Sequence, residues 1–365
     1  MRIGIITNDV PPHYCGIGDH SIYLANAIRS AGEEAVIIAA RGKPSENIHV
    51  LESDWGYQGL EKLYQKLVSL NLDHLILQFT PLMYLNEKHC VVHDLVDFWK
   101  RCARHLKTSI IVHETYFCRL WYPRSWIKGL RERWLLRRMV EFSHFVFTAS
   151  QPLVDEMVEW RNVANVHLLP IGSNFPVAKQ DRAMMRTERG IDADEIVLIL
   201  FGGGNSLKWM CGHVDATDRL LRVKNISVRW LLLGGVSTGW FHLSSKVITP
   251  GRLSEEVVSE WLQATDIFLM PHYAGLCGKR GTLIAAMQHS LPVVGTRTAM
   301  TDNYWSEIDG VKLVPMRSRK VFAKTVLELA RSQALRDQCG TSNEAYFRNF
   351  FRWDGIANLF LKEVR

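Results

Sequence analysis

The chain alternates short apolar runs with segments of helical period, and this pattern, which occurs twice, constrains the fold more than any other feature. In the first half the apolar runs lie at residues 2–7, 34–40, 74–79, 109–113, 144–148 and 166–169. In the second half they lie at 195–201, 227–234, 266–270, 291–295 and 311–314. Continuous apolar runs are typical of parallel strands that helices cover on both faces. The sequence therefore predicts an α/β fold with two doubly wound, Rossmann-like domains.

A polar stretch at 173–194 separates the two halves, and we interpret it as the linker. We expect an N-terminal domain over residues 1–175 and a C-terminal domain over 190–344. Ligands of open α/β sheets bind beyond the carboxyl ends of the strands, so the two domains are expected to face one another across a central cleft. Residues that directly follow strands are therefore the first functional candidates.

The composition narrows the class of protein. Hydrophobic residues make up 47% and charged residues 22% of the chain, which is typical of a folded globular protein. The N-terminus lacks the basic flank and the longer apolar stretch of a secretion signal, and no apolar run approaches the length of a membrane span. The seven cysteines are scattered without a C-x-x-C pair, which argues against a disulfide framework and a zinc site. We therefore expect a cytoplasmic protein without a metal site.

Much of the formal net charge of +7 comes from a basic segment between residues 119 and 138. Seven arginines and lysines there face a single glutamate, and tryptophans lie among them. Such a mixture suits an anionic membrane surface or a phosphate-bearing partner. The alternative is an amphipathic helix whose aromatic side chains lie in the core and whose arginines are solvated. The candidate membrane or acceptor patch consists of Arg119, Arg124, Lys128 and Arg131.

A glycine-containing loop, PPHYCGIGD at 11–19, follows the first predicted strand and precedes an apolar helix. Gly16 and Gly18 let the backbone approach a ligand closely, and a helix start offers unpaired N–H groups to a phosphate. The third glycine of the dinucleotide fingerprint is missing, so a turn that only reverses the chain is the alternative.

Several segments, in order along nearly the whole chain, resemble the retaining glycosyltransferases of family 4, which have the GT-B fold. They are the loop at 11–19, VHE at 112–114, PIGSNFP at 170–176, GRLSEE at 251–256, ATDIFLMP at 264–271, LIAAM at 283–287 and LPVV at 291–294. The resemblance implies a nucleotide-sugar donor on the second domain and a carbohydrate, lipid-linked or small-molecule acceptor on the first. It also implies that a C-terminal helix at about 345–365 packs back on the first domain, and that attack on the sugar occurs from the front face.

Two loops of the second domain are candidates for binding the donor. FGGGNSLK at 201–208 resembles the family's glycine loop, which ends in a lysine that contacts the donor diphosphate, and it supplies Gly202, Gly203 and Lys208. A fixed ammonium together with backbone N–H groups can stabilise a leaving phosphate without a metal ion. The loop KRGT before the next helix supplies Lys279, Arg280, Gly281 and Thr282 as a second cationic site. For Lys208 the alternative is a solvated lysine at a helix start.

His113 and Glu114 stand at the end of a predicted strand of the first domain. The resemblance implies that His113 lies near the donor sugar; the alternative is a histidine that only completes the hydrogen bonds of the strand end. Glu114 could orient the acceptor hydroxyl, or it could be an exposed structural carboxylate.

The sequence departs from the family at two positions. The family has a glutamate pair spaced eight residues apart, and here Cys277 and Ala285 take those places. The loss of a charged hydrogen bond costs about 1.5–3 kcal/mol, or roughly ten- to a hundredfold in nucleotide affinity. A variant branch of the family, in which Lys-Arg-Gly-Thr/Ser precedes Leu-x-Ala-Ala, implies that Arg280 and Thr282 compensate.

We therefore expect a metal-independent hexosyltransferase, of the kind that serves polysaccharide biosynthesis, with peripheral contact at the inner face of the membrane. It would need no cofactor beyond its nucleotide-sugar substrate and would bind no nucleic acid. One alternative is a nucleotide-sugar epimerase of the same fold, which would need carboxylates for proton transfer. Another is a non-catalytic GT-B module that binds a nucleotide-sugar or a partner enzyme, favoured by the two missing glutamates. A dehydrogenase is disfavoured, because the glycine spacing fails in both halves.

Overall fold

The structure is a computed structural model that describes residues 1–13, 15–85, 92–114, 123–160, 165–178, 180–202 and 205–365. The chain forms two compact units. The first consists of Met1–Pro170 together with Trp353–Arg365, and the second of Ile171–Arg352.

Within these ranges the secondary structure alternates along the chain. The strands are β1 (Arg2–Asp9), β2 (Glu34–Arg41), β3 (Ile48–Val50), β4 (His74–Phe79), β5 (Lys107–Val112), β6 (Phe145–Thr148), β7 (Val166–Leu168), β8 (Ile196–Gly202), β9 (Val228–Gly234), β10 (Lys246–Ile248), β11 (Ile267–Met270), β12 (Val293–Arg297) and β13 (Val311–Pro315). The helices are α1 (Gly16–Ser30), α2 (Tyr57–Ser69), α3 (Pro81–Leu85), α4 (Val92–Ala103), α5 (Pro123–Glu141), α6 (Gln151–Val158), α7 (Arg182–Glu188), α8 (Asn205–Trp209), α9 (Cys211–Val223), α10 (Glu255–Ala264), α11 (Gly281–Gln288), α12 (Arg319–Arg331), α13 (Gln333–Phe350) and α14 (Trp353–Val364).

The sheet of the first unit is parallel, with the strand order β3-β2-β1-β4-β5-β6-β7. In its register, Ile3 of β1 lies opposite Ala35 of β2 and His74 of β4. Every residue of β4 is buried, since helices cover both faces, and this explains the continuous apolar run in the sequence. The order of strands reverses between β1 and β4, so the carboxyl ends of these two strands flank the topological switch point of the unit.

Helix α14 completes the apolar core of the first unit. Its buried side chains recur at helical spacing and pack in one cluster with those of α1; they are Ile356, Ala357, Phe360, Leu361 and Val364. Full burial of each large apolar side chain is worth about 1.5–3 kcal/mol. At the start of α14, the ring of Trp353 lies 5.1 Å from that of His20 and 5.8 Å from that of Tyr23, both on α1. The first unit therefore depends on a helix that follows the second unit in the chain.

The sheet of the second unit is also parallel, with the order β10-β9-β8-β11-β12-β13. Phe268 of β11 lies opposite Ile199 of β8 and Val293 of β12. Apolar clusters fill both faces of this sheet, and they bury Trp230 and Trp305 completely. The switch point lies between β8 and β11. The predicted fold, α/β with two doubly wound domains, is confirmed.

No helix in the described part of the chain combines the length and the apolar character needed to cross a bilayer.

Candidate functional site

The candidate site of the second unit lies at the carboxyl edge of its sheet, beside the switch point between β8 and β11. The glycine loop that leads into α8 follows β8, and the loop that leads into α11 follows β11. Crevices at such switch points are where open α/β sheets bind their ligands.

The segment after β8 is fixed to the core by buried apolar side chains, and its Lys208 is exposed to solvent. Gly202 has a φ of 155°, a conformation that favours glycine, and a Cβ on Gly234 would lie 2.6 Å from the Gly202 carbonyl oxygen. Leu207 and Met210 are buried on either side of Lys208, whose side chain is exposed. Gly203 lies outside the described residues. Among those described, the Lys208 ammonium has no hydrogen-bond or ion-pair partner, so it is available to an anion.

His272, the second residue after β11, is buried and holds the side chain of Arg280. Its Nδ1 accepts hydrogen bonds from the N–H of Ala274 at 3.0 Å and from Nη2 of Arg280 at 3.1 Å. Burial lowers the pKa of His272 to about 3, and the positive charges of Arg280 and Lys279 add to this effect. A nitrogen that accepts from two donors carries no proton, so the ring is neutral and protonated on Nε2.

Arg280 carries a hydrogen-bond donor that nothing described satisfies. Its Nε is buried without a partner, although Nη2 is held by His272. Arg280 is also the N-cap of α11, whose first N–H groups have no partner within the helix. A Cβ on Gly281 would meet no atom within 4 Å, so the space in front of this helix start is open. An unmet guanidinium donor, a helix N-terminus and nearby Lys279 together suit an anionic ligand.

A buried carboxylate fixes the loop before α11 in place. Oδ2 of the fully buried Asp302 accepts a hydrogen bond of 2.6 Å from the N–H of Gly278 and lies 3.5 Å from the Tyr304 hydroxyl. Burial, followed by the charge of Asp302, raises the pKa of Tyr304 well above its ordinary value, so the hydroxyl stays protonated beside the carboxylate. The loop that carries Arg280 is therefore held from the protein interior.

Two positions that carry glutamates in the glycosyltransferase family that the sequence resembles are buried in this structure. Cys277 is 6% and Ala285 0% exposed, and both belong to the apolar core of this unit. Leu283, Ile284 and Met287, which neighbour Ala285 on α11, are also completely buried. In the described structure, position 285 thus faces apolar side chains instead of solvent.

Two half-exposed aromatic rings join the two loops, and the sequence analysis did not identify them. Trp209, which follows Lys208, lies 5.3 Å from the ring of Tyr273, and Tyr273 stacks on His272 at 4.7 Å. This contact places helix α8, which carries Lys208, next to the loop between β11 and α11, which carries Arg280. His272 and Tyr273 follow a predicted strand directly, which is the signal that could have found them.

In the first unit, a hydrogen-bonded chain holds His113 at the end of β5. Nε2 of His113 donates to Oε1 of Gln78 at 2.6 Å, and Nε2 of Gln78 donates to Nδ1 of His20 at 3.2 Å. An amide oxygen only accepts and an amide nitrogen only donates, so Gln78 fixes the tautomers of both rings. Burial, with a smaller contribution from His113, lowers the pKa of His20 well below its ordinary value. His20 is thus a buried neutral partner, and its Nε2 has no partner in the described structure.

Glu114 is exposed next to His113. It makes no hydrogen bond or ion pair with the described residues, so the structure leaves its carboxylate open to solvent.

The two glycines after β1 differ in their surroundings. A Cβ on Gly18 would lie 2.1 Å from the carbonyl oxygen of Asp9, so the close packing of α1 against the end of β1 requires glycine there. A Cβ on Gly16 would meet nothing within 4 Å. Packing therefore explains why position 18 is glycine, whereas Gly16 borders open space.

From residue 123 onward the basic segment lies on helix α5, and the exposed face of this helix is apolar as well as basic. Ile127, Leu130 and Trp134 are 73%, 66% and 40% exposed, and Arg131 is exposed between them. Positions i, i+3, i+4 and i+7 share one face of a helix. Arg131 and Trp134 also line a cavity of about 330 Å³ with Val92 and His93 of α4. The side chains of the other predicted patch residues, Arg119, Arg124 and Lys128, lie outside the described part.

Comparison with known proteins links the second unit to sugar transfer. Residues 195–332 match the family model of group 1 glycosyl transferases. A search of curated proteins finds no significant match.

Solved structures share the fold over the whole chain. Sucrose-phosphate synthase from Thermosynechococcus elongatus has a TM-score of 0.76 at 14% identity, covering 99% of this chain and 97% of that one. HepE from Anabaena, in complex with UDP and glucose, has a TM-score of 0.72 at 12% identity, covering 99% and 98%. A putative UDP-N-acetylglucosamine 2-epimerase from Listeria monocytogenes has a TM-score of 0.63 at 12% identity, covering 99% and 94%.

Identities this low establish the fold alone, and the fold hosts both transferases and an epimerase. The chain thus has the GT-B fold, and the match of its second unit to the group 1 glycosyl transferases supports sugar transfer.

Proposed function

We propose that the protein is a retaining, metal-independent glycosyltransferase that moves a hexosyl group from a nucleotide-sugar to a hydroxyl of an acceptor. The observation that carries the proposal is the buried, unpartnered Nε of Arg280 at the start of α11, beside the switch point of the second unit. A nucleoside diphosphate is the anion that meets such a donor at this place in the fold. HepE, which shares the fold, was solved with UDP and glucose, and this supports a nucleotide-sugar as the donor.

Each cation of the second unit has a distinct role in the proposal. Arg280 grips a phosphate through parallel hydrogen bonds, while Lys279 adds charge and the first N–H groups of α11, those of Gly281 and Thr282, bind oxygens. Lys208 stabilises the charge that develops on the leaving phosphate. Gly202 lets the backbone approach the donor closely, and Gly203 is kept as a donor-binding residue from the sequence alone.

The first unit supplies the acceptor side. A hydroxyl of the acceptor attacks the anomeric carbon from the front face, the bond from that carbon to the phosphate oxygen breaks, and the hydroxyl proton passes to the leaving phosphate. His113, held by Gln78, contacts the transferred sugar, and Glu114 orients the acceptor hydroxyl. Gly16 borders the open space through which these groups approach.

Nucleotide release from a panel of UDP-, GDP- and ADP-sugars, measured with EDTA present, tests the proposal. Among the described residues no group of three His, Cys, Asp or Glu side chains is placed to hold a metal, and activity that persists in EDTA would support metal independence directly. Release of free nucleotide that rises with an added acceptor is the expected result. Binding without release would favour the non-catalytic module, and a changed sugar without transfer would favour the epimerase.

Arg280→Lys separates the geometry of the guanidinium from its charge. Lysine keeps the charge but acts as a point charge, so we expect the affinity for UDP to fall about tenfold or more. Arg222→Lys, at an exposed position at the end of α9, is the matched control and should bind as the wild type does. Wild-type affinity in Arg280→Ala would contradict the role of Arg280.

A second proposal concerns the exposed face of α5, which docks on an anionic membrane. The apolar side chains Ile127, Leu130 and Trp134 share this face with Arg131, while Glu132, the acid next to Arg131 in the sequence, is buried. Apolar groups that enter the headgroup region and arginines that meet anionic lipid are the features of an interfacial helix. Each arginine near an anionic surface adds about 1 kcal/mol.

Co-sedimentation with vesicles of neutral lipid, with and without anionic lipid, tests this docking surface. The protein should bind the anionic vesicles, and binding should weaken as salt screens the charges. Leu130→Ser and Arg131→Glu should reduce binding, whereas Val223→Ser, at an equally exposed position on α9, should not. Equal binding to neutral and anionic vesicles would refute the proposal.

A further inference from the structure

A cavity of about 410 Å³ lies in the first unit, at the carboxyl edge of β1 and β2. Its polar lining comes from the carboxyl ends of β1 and β2 and from the segments that follow β1 and β3; the residues are Asn8, His13, Arg41, Glu52, Ser53 and Asp54. Its volume is at the small end of the range found for small-molecule sites. None of the residues placed in the catalytic machinery above lines it.

The wall of this cavity is built from mutually bonded groups, of which Asn8 and Trp55 are buried and Arg41 is exposed. The side chain of Asn8, which is 5% exposed, accepts a hydrogen bond of 2.7 Å from Nε1 of buried Trp55 and donates one of 2.8 Å to Asp9. Asp9 in turn holds Nε of Arg41 at 2.8 Å. The chain after β2 turns at Gly42, whose φ of 142° favours glycine. These contacts fix the cavity before any ligand arrives.

Glu52 lines the cavity in an unusual backbone conformation. Its φ is 46°, which non-glycine residues adopt rarely and at a cost in free energy. Its side chain is exposed and makes no hydrogen bond or ion pair within the described part of the chain. Strain of this kind is concentrated at ligand sites, where the fold holds a side chain in place for a partner.

The charges around the cavity are unbalanced. Asp9 neutralises Arg41, and of the two carboxylates that remain, Asp54 accepts one hydrogen bond of 3.0 Å from the N–H of Gly56, while Glu52 has no partner. Carboxylates only accept hydrogen bonds, so they suit ligands that carry hydroxyl or ammonium donors. A like-charged ligand would be repelled.

We propose that this cavity is the acceptor subsite and that it takes a sugar ring that is neutral or carries an amine, and not a sugar phosphate or a uronic acid. The proposal rests on the proposed function, since it names the class of acceptor for that reaction. Glu52 is its specificity-determining residue, and Asn8 and Arg41 form the fixed wall.

Binding of methyl glucoside, glucosamine and glucose 6-phosphate to the full chain, followed by saturation-transfer NMR, tests this specificity. Glucosamine should bind more tightly than glucose 6-phosphate. Glu52→Gln should weaken glucosamine binding about tenfold, and Glu52→Lys should admit glucose 6-phosphate, because the charge reverses. Glu46→Gln, at an exposed position that does not line the cavity, is the matched control and should change nothing.

The affinity for UDP, measured in parallel, separates the two proposals. We expect it to be unchanged in the Glu52 variants, because Glu52 belongs to the first unit and the donor loops to the second. A protein that binds UDP but none of the three sugars, or that prefers glucose 6-phosphate, overturns the acceptor subsite. A protein that binds glucosamine through Glu52 but neither binds nor releases a nucleotide supports the subsite and refutes the proposed transfer.

Discussion

Replacing Ala285 with glutamate would restore one carboxylate of the resembling family, and the structure predicts that this change destabilises the second unit. Ala285 is 0% exposed and lies in an apolar cluster. A carboxylate buried there would have its pKa raised by about 2–3 units, which corresponds to about 3–4 kcal/mol at neutral pH. The added volume costs about 1–3 kcal/mol more. The sum, about 4–7 kcal/mol, is a large part of the 5–15 kcal/mol that usually stabilises a domain.

Ala285→Gln is the control, because it adds nearly the same volume without the charge. Urea denaturation followed by tryptophan fluorescence reports on both units, through the fully buried Trp230 and Trp305 in this one and Trp99 in the first. Below a pH of about 4, both side chains are neutral and the two variants should be equally stable. Above this pH the buried carboxyl group ionises in the unfolded state but stays protonated in the folded state. The free energy of unfolding of the glutamate variant should therefore fall by about 1.4 kcal/mol per pH unit relative to the glutamine variant, until the pH reaches the raised pKa.

One result would refute this reasoning. If Ala285→Glu is as stable as Ala285→Gln at pH 7 and binds UDP more tightly than the wild type, position 285 faces the nucleotide. Arg280 would then not have replaced the family's glutamate.

Three further variants test the two candidate loops of the second unit and the hydrogen bonds that join His20, Gln78 and His113 in the first. Lys208→Ala should lower turnover about a hundred- to a thousandfold with the fold intact, as measured at saturating donor, while Lys324→Ala on α12 should not. Gln78→Leu should leave His113 without its acceptor, lowering kcat more than it raises KM and costing about 1–3 kcal/mol of unfolding free energy. The pKa of His272 falls to about 3 on folding, so the stabilisation that comes from its neutral ring is complete above pH 6.5, and this contribution should decline by about 1.4 kcal/mol per unit as the pH drops from 6.5 toward 3. His272→Asn should flatten that decline, and an unchanged slope would contradict it.

The sequence predicted the central strands well, because a strand buried on both faces needs a continuous apolar run. Each of the eleven predicted runs coincides with a strand of the structure. The strands β3 and β10 were not predicted; each is a three-residue edge strand that is incompletely buried, as is β7, whose run at 166–169 was predicted. Strands of this kind carry little hydrophobic signal.

Positions along the chain were easier to predict than contacts across it. His113, Lys208 and Arg280 became candidates because each lies just after a strand or near the start of a helix, and their roles stay predictions. Gln78 and His272, which hold two of these side chains, depend on which strands are neighbours and on how deeply a side chain is buried. The cavity at Glu52 could not be predicted, because the chain reaches it only after the unpredicted strand β3.

The return of α14 to the first unit sets the order in which the two units can be completed on the ribosome. Residues 1–170 emerge first, but the core they form with Phe360 and Leu361 is unfinished until α14 has been made. The whole of Ile171–Arg352 is synthesised in between, which takes roughly 10–40 s at about 5–20 residues per second. The second unit can therefore fold before the first, and throughout this interval the nascent chain exposes the apolar surface of α1 that α14 later covers.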